Sequence, residues 1–233
     1  MNLKVLLLNL LPFFIYAQED IYSFALVQDV EGFVNVRSDP SIKNNVQDTI
    51  ATGRVVWCYE KKGDWYYVDY DKKGNSHDGY IHRSRLKLIN SFEKIPVHKE
   101  SKDQIVFRKD SLVITLSKKS FVAAENNLQY ATNSGTKYLA KINSKRIWGT
   151  DGNVPRTQYK FIEIVSGQRM ITIPSAEIAD LYEPTLYNTK VFCDRANNTI
   201  YISVLNGDGA GGYVGLFVVK NGFYHSRMIT IGT

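Results

Sequence analysis

The sequence predicts an all-β protein in two parts, a small closed barrel followed by a larger antiparallel β domain with one short helix. Three observations predict it. Past the first seventeen residues, no stretch keeps a helical apolar period for three turns. Short runs of branched and aromatic residues recur instead, set off by Gly, Asn, Asp, Ser and Pro. Several of these runs alternate apolar with polar residues, the pattern of a strand with one wet face. With 44% apolar and 12% aromatic residues among 233, the chain can build a core, which excludes wholesale disorder.

The opening residues read as an address. Met1-Asn2-Leu3-Lys4 gives a short positive start, and Val5 to Ala17 follows as a run dominated by Leu, Phe and Ile. That run is shorter than the roughly 20 apolar residues a spanning helix needs. It ends at Ile15-Tyr16-Ala17, with a small residue last, as a cleavage site does. The expectation is a signal peptide over 1–17, cleaved near Ala17, and a secreted or periplasmic protein with no later membrane span. No Cys follows the expected cut, so a lipid anchor of the bacterial lipoprotein kind is not expected.

Cleavage would remove Lys4 and no acid, taking the net charge from +6 to +5. The excess is spread along the chain rather than gathered in a stripe, so nucleic acid is not an expected partner. Cys58 and Cys193 lie 135 residues apart, each among apolar neighbours, and read as buried free thiols.

The first part, 21–89, holds five expected strands at 33–37, 54–60, 65–70, 79–82 and 86–89. Val34 and Val36 alternate with Asn35 and Arg37. Trp57, Trp65, Tyr66 and Tyr80 supply large apolar area, each worth about 1.5–3 kcal/mol when fully buried. Residues 90–104 are polar and charged, with Pro96 among them, and read as a joint.

The second part, 105–233, holds expected strands at 105–108, 111–116, 138–142, 158–165, 168–173, 190–193, 199–205, 213–220 and 223–231. Asn221-Gly222 and Ser166-Gly167 are expected as tight hairpin turns. Ile200, Ile202 and Val204 share one face of their strand and Tyr201 and Ser203 the other, which predicts half-buried antiparallel sheet. The short helix is placed after Pro174, capped by Ser175, with Ile178, Leu181 and Tyr182 on one face and Glu183-Pro184 as its stop.

The first part resembles the bacterial SH3-like (SH3b) domain. The resemblance rests on Val34-Asn35-Val36-Arg37-Ser38-Asp39-Pro40, on Gly53 before a strand, on Gly63-Asp64-Trp65-Tyr66-Tyr67-Val68, and on Gly79-Tyr80-Ile81-His82 with Leu86 after it. It departs from the family in a longer loop at 71–78 and in Tyr80, where Trp is common. The resemblance implies a shallow ligand groove beside the loop after Arg37, with Asn35, Arg37, Asp39, Trp65, Tyr67, Tyr80 and His82 as its lining. It also implies a partner among cell-wall peptidoglycan peptides or envelope proteins.

Motifs for chemistry are missing. Cys193 sits in an expected strand rather than at a helix N-terminus beside a His. The four histidines hold no His-x-x-x-His pair, and Gly-x-Ser-x-Gly is absent. Gly207–Gly212 formally fits GxGxxG, but strand-like residues follow it, so it reads as a hairpin tip and not a dinucleotide site. No catalytic residue, metal or cofactor is expected. In the second part Trp148, Asp151, Arg156 and Asp208 are the residues to inspect, together with Glu163 and Glu183 as acids that folding could pair. The leading expectation is a non-catalytic binding protein. The alternatives are an envelope hydrolase with acids assembled in the second part, and a structural or oligomerisation protein.

Overall fold

A computed structural model describes residues 22–207 and 209–232. The expected signal peptide and Asp208 lie outside the described residues. Seven strands form the first sheet, which curls on itself: β1 Ser23–Val27, β2 Phe33–Arg37, β3 Val46–Ala51, β4 Val55–Lys62, β5 Trp65–Lys72, β6 Asn75–His82 and β7 Leu86–Leu88. Their order is β3-β2-β6-β5-β4-β1-β7, antiparallel throughout. Alternate residues point inward, so Val34 and Val36, Val56 and Cys58, and Tyr66, Val68 and Tyr70 meet in one core. Gly79 lets β6 run close to β2: a Cβ there would sit 2.5 Å from the Val36 side chain.

The second half is also β. Its strands are β8 Glu93–Ile95, β9 Val97–Glu100, β10 Gln104–Lys109, β11 Leu112–Ser120, β12 Leu128–Asn133, β13 Thr136–Ile142, β14 Lys145–Arg146, β15 Thr157–Ser166, β16 Arg169–Thr172, β17 Lys190–Asp194, β18 Thr199–Asn206, β19 Tyr213–Lys220 and β20 Phe223–Ile231. They form two five-stranded sheets, β16-β15-β11-β10-β9 and β20-β19-β18-β17-β8, and a small β12-β13-β14 sheet. Ile105, Phe107, Ile114 and Ile162 from the first pack against Val191, Ile202, Val204 and Phe217 from the second. The all-β expectation holds, and among the described residues no helix is long and apolar enough to cross a membrane.

Three local expectations are corrected. Residues 90–104 are not a free joint: β8 pairs with β17 and β9 with β10. Pro96 falls between these two strands, where no ladder N–H is needed, and the polar residues of β9 are exposed on a sheet edge. Glu93 reinforces the attachment through Lys109 and through Arg195 Nε at 2.5 Å, pairs that hold its pKa down at about 2. The helix after Pro174 shrinks to one 3-10 turn, Ser175–Glu177, with Pro174 rather than Ser175 at the cap position. The turn expected at Ser166-Gly167 moves by one residue, since Ser166 pairs with Arg169 across Gly167-Gln168. Asn221-Gly222 turns as expected, with φ of 53° and 76°.

The two halves share a third core. The sheet containing β19 is buried on both faces: Tyr213, Phe217 and Val219 face the second-half core, while Val214, Leu216 and Val218 face β1 and β4. Phe24, Trp57 and Ile89 meet them, with the Phe24 and Trp57 rings 4.7 Å apart. Tyr201, expected on a wet face, is buried at this seam. Trp57 therefore packs outside the curled sheet's own core, and its Nε1 finds no acceptor, a loss of about 1–3 kcal/mol.

A polar tie crosses the same seam. Thr230 Oγ1 donates to Asp69 Oδ2 at 3.1 Å. Burial raises the Asp69 pKa above its usual 3.8; the Thr230 bond opposes the rise and the Asp78 charge adds to it. The folded carboxyl thus holds its proton more tightly than the unfolded one. Its contribution favours the fold at low pH and is lost as pH rises from 3.8 through the raised folded value. Asp69→Asn keeps an acceptor for Thr230 and removes that loss. Its urea midpoint is expected to exceed that of the wild type at pH 7, with the gap closing near pH 3. An equal gap at both pH values would point away from the charge.

Candidate functional site

The outer surface of the curled sheet has two flanks. One, made by β1 and β4, is covered by the second half. The other, made by β2, β6 and β5, carries Asn35 and Arg37, His82 and Tyr80, and Trp65 and Tyr67. Strand pairing sets the arrangement: Trp65 stands opposite His82, Tyr67 opposite Tyr80, and Arg37 opposite Tyr80.

A groove of about 330 Å3 opens on this flank. Asn35, Arg37, Trp65 and His82 line it, joined by Phe33 at the start of β2, by Ile42 from the loop after β2, and by Ser84 and Arg85 after β6. Arg37 Nη1 donates to Lys43 O and Asn45 Oδ1, both at 2.8 Å, which pins the loop between β2 and β3. Its guanidinium carbon lies 6.0 Å from the Trp65 ring centre. The His82 ring meets Trp65 edge-on at 5.1 Å, and its Nδ1 is 2.8 Å from Ser84 Oγ. Asp29, ion-paired with Arg85, also accepts the Glu31 N–H at 2.8 Å and so fixes the far wall. Trp65 is half-buried, leaving part of an aromatic face to the groove.

The other expected lining residues lie elsewhere. Tyr67 and Tyr80 pack on each other at 4.7 Å beside the groove, and Tyr80 is buried, with its hydroxyl accepting from Lys62 Nζ. Tyr67 donates to Asp78 Oδ1 at 2.7 Å, which with burial pushes its pKa up to about 12. Asp39 is exposed on the loop between β2 and β3, its carbonyl accepting from Asn45. Phe33, Ile42 and Arg85 were not expected. Phe33 shares the parity of Asn35 and Arg37 in β2, so alternation is its signal; Ile42 and Arg85 carry none, because the chain path after β2 and after β6 brings them in.

In the second half, of the described residues singled out, Arg156 and Glu183 come together, and Trp148, Asp151 and Glu163 lie apart from them. Trp148 is half-buried under the Arg146 guanidinium at 4.1 Å and packs 6.3 Å from Tyr213. Asp151 is exposed. Arg156 pairs with Glu183, whose carboxylate also accepts from the Thr157 hydroxyl at 3.2 Å and so holds the start of β15. Glu163 sits mid-strand opposite Thr115 and Thr172. Cys58 is buried and Cys193 half-buried, both free, and burial raises both thiol pKa values. Among the described residues no group of three His, Cys, Asp or Glu side chains is placed to hold a metal.

The family model for the bacterial SH3 domain matches residues 32–87, a quarter of the chain. These residues run from just before β2 into β7 and include the free flank and most of its groove, Asp29 and Glu31 of the far wall lying just before them. The region beyond them has no family assigned. No curated protein and no solved structure matches the chain.

Proposed function

We propose that the protein is a non-catalytic binding protein of the bacterial cell envelope, and that the groove on the β2-β6-β5 flank takes a short peptide of peptidoglycan or of an envelope protein. The match of residues 32–87 to the bacterial SH3 domain supports a cell-wall binding role. The observation that carries the finer reading is the groove itself. A half-buried indole is braced by Arg37 and His82, beside rigid loops and on the flank that the second half leaves open. Export, as the leader expectation has it, would bring the protein to such a partner.

Trp65 supplies the apolar floor, while Asn35 and the edge of His82 supply hydrogen-bonding groups for a peptide backbone. A groove this small suits a few residues and an affinity near micromolar, about −8 kcal/mol. The role is localisation rather than tight inhibition.

The test is retention of the chain from Gln18 to Thr233 on purified peptidoglycan. Wild type is expected to be retained. Trp65→Ala is expected to weaken retention roughly thirtyfold, the size of an interface hot spot of about 2 kcal/mol. Equal retention of both proteins would remove the groove from the account, and no retention of wild type would remove peptidoglycan.

A further inference from the structure

The seam between the curled sheet and the sheet covering it is not closed along its whole length. At one end a cavity of about 550 Å3 opens between Phe24, Trp57 and Ile89 on one side and Phe192, Leu205 and Val214 on the other. It shares no residue with the groove at Trp65. At its mouth Tyr22 and Tyr187 are 60% and 71% exposed and Leu205 47%, so apolar surface runs from the cavity into solvent. Trp57, part of the wall, carries an indole N–H that the protein leaves without an acceptor.

Among the described residues the charge on this lining is one-sided. Lys190 is exposed there, no acid among the described residues lines the cavity, and Lys190 forms no ion pair among them. Asn90, Asn188 and Ser203 add neutral polar groups.

We propose that this cavity binds a free single-chain amphiphile with an anionic head, a medium-chain carboxylate. The apolar walls take the chain, whose burial scales with the area removed from water. Lys190, unpaired among the described residues, selects the carboxylate over a cationic head by charge complementarity. The volume lies within the range of about 300–1,000 Å3 typical of small-molecule pockets, and a junction of two packed units is where such pockets recur. The site is independent of the peptide groove, and either can fail without the other.

The test is calorimetric titration of the chain from Gln18 to Thr233 with dodecanoate below its aggregation concentration. Dodecyltrimethylammonium serves as the head-group control. Dodecanoate is expected to bind saturably, one per chain, with roughly micromolar affinity. The ammonium amphiphile is expected to bind about tenfold more weakly, and Lys190→Glu should weaken dodecanoate by a similar factor. Leu205→Asp, at a half-exposed position that tolerates polarity, should abolish binding. Tyr187→Ser replaces it if the circular dichroism of Leu205→Asp departs from wild type. Equal binding of both head groups, binding untouched by the mouth variants, or no saturable heat would overturn the proposal. A wild type that sediments as a dimer, with Leu205→Asp a monomer, would assign the cavity to a second copy and overturn it as well.

Discussion

Replacing Asn206 by leucine is expected to destabilise the protein by about 3–5 kcal/mol, read as a drop in the urea midpoint followed by circular dichroism. Asn206 is buried at the end of β18. Its Nδ2 donates to Tyr159 Oη at 2.8 Å and Tyr213 Oη at 3.1 Å, and its Oδ1 accepts the Thr185 N–H at 2.7 Å. Burial raises the pKa of both phenols, so they stay neutral across the working range. Leucine fills the same space and satisfies none of the three partners. Each orphaned buried group costs about 1–3 kcal/mol. A loss below about 1 kcal/mol would mean that the tyrosines find other partners and that this network does not lock β15 to β18 and β19.

The second large effect is on the first part when cut away. A chain of residues 22–89 alone is expected to bind a hydrophobic dye and to elute as an aggregate. The cut strips cover from Phe24, Trp57 and Ile89, each 6% exposed or less in the whole protein. Each such side chain contributes about 1.5–3 kcal/mol when buried. A unit of under 70 residues has little stability in reserve, so losing that burial matters. A monomeric 22–89 with a sharp unfolding transition and no dye binding would show that the seam is incidental. The same reasoning requires retention experiments on the whole chain, since a sticky fragment would bind many surfaces.

Much of this architecture was legible because alternation is a local signal. Val34 and Val36 against Asn35 and Arg37 identified β2, and Trp65 to Tyr70 identified β5, with the groove-facing set already on one parity. β3 carries no such signal, because Val46–Ala51 is largely exposed and polar, with Ile50 alone buried. β1 lacks it for the opposite reason: Phe24 packs at the seam while Ala25 and Val27 fill the core, so apolar residues occupy both faces and no period of two survives. The same signature stood in β4, where Val55, Trp57 and Tyr59 face outward while Val56 and Cys58 face in. In the structure that strand is covered on both sides, on the flank away from the groove. The polar stretch at 90–104 misled because edge strands carry charge by necessity.

The candidate site was half legible. Asn35, Arg37, Trp65 and His82 share the groove because strand pairing sets Trp65 opposite His82, while Arg37, opposite Tyr80 and on the same parity as Asn35, turns its guanidinium toward the Trp65 ring. Tyr67 and Tyr80 follow the same parity but cover each other. Asp39 depends on a loop whose path is set by Arg37 and Asn45, contacts that no spacing rule encodes.

On the proposed reading, one flank of the curled sheet is closed by the second half while the other is left for a ligand. Nuclear magnetic resonance shift mapping of the whole chain with soluble peptidoglycan stem peptides tests it most directly. The predicted result is a cluster of perturbed amides on β2, β5 and the end of β6, with the Trp65 indole among the largest shifts. Perturbations confined to residues 105–232, or to β1 and β4 along the seam, with the Trp65 indole unmoved, would contradict it.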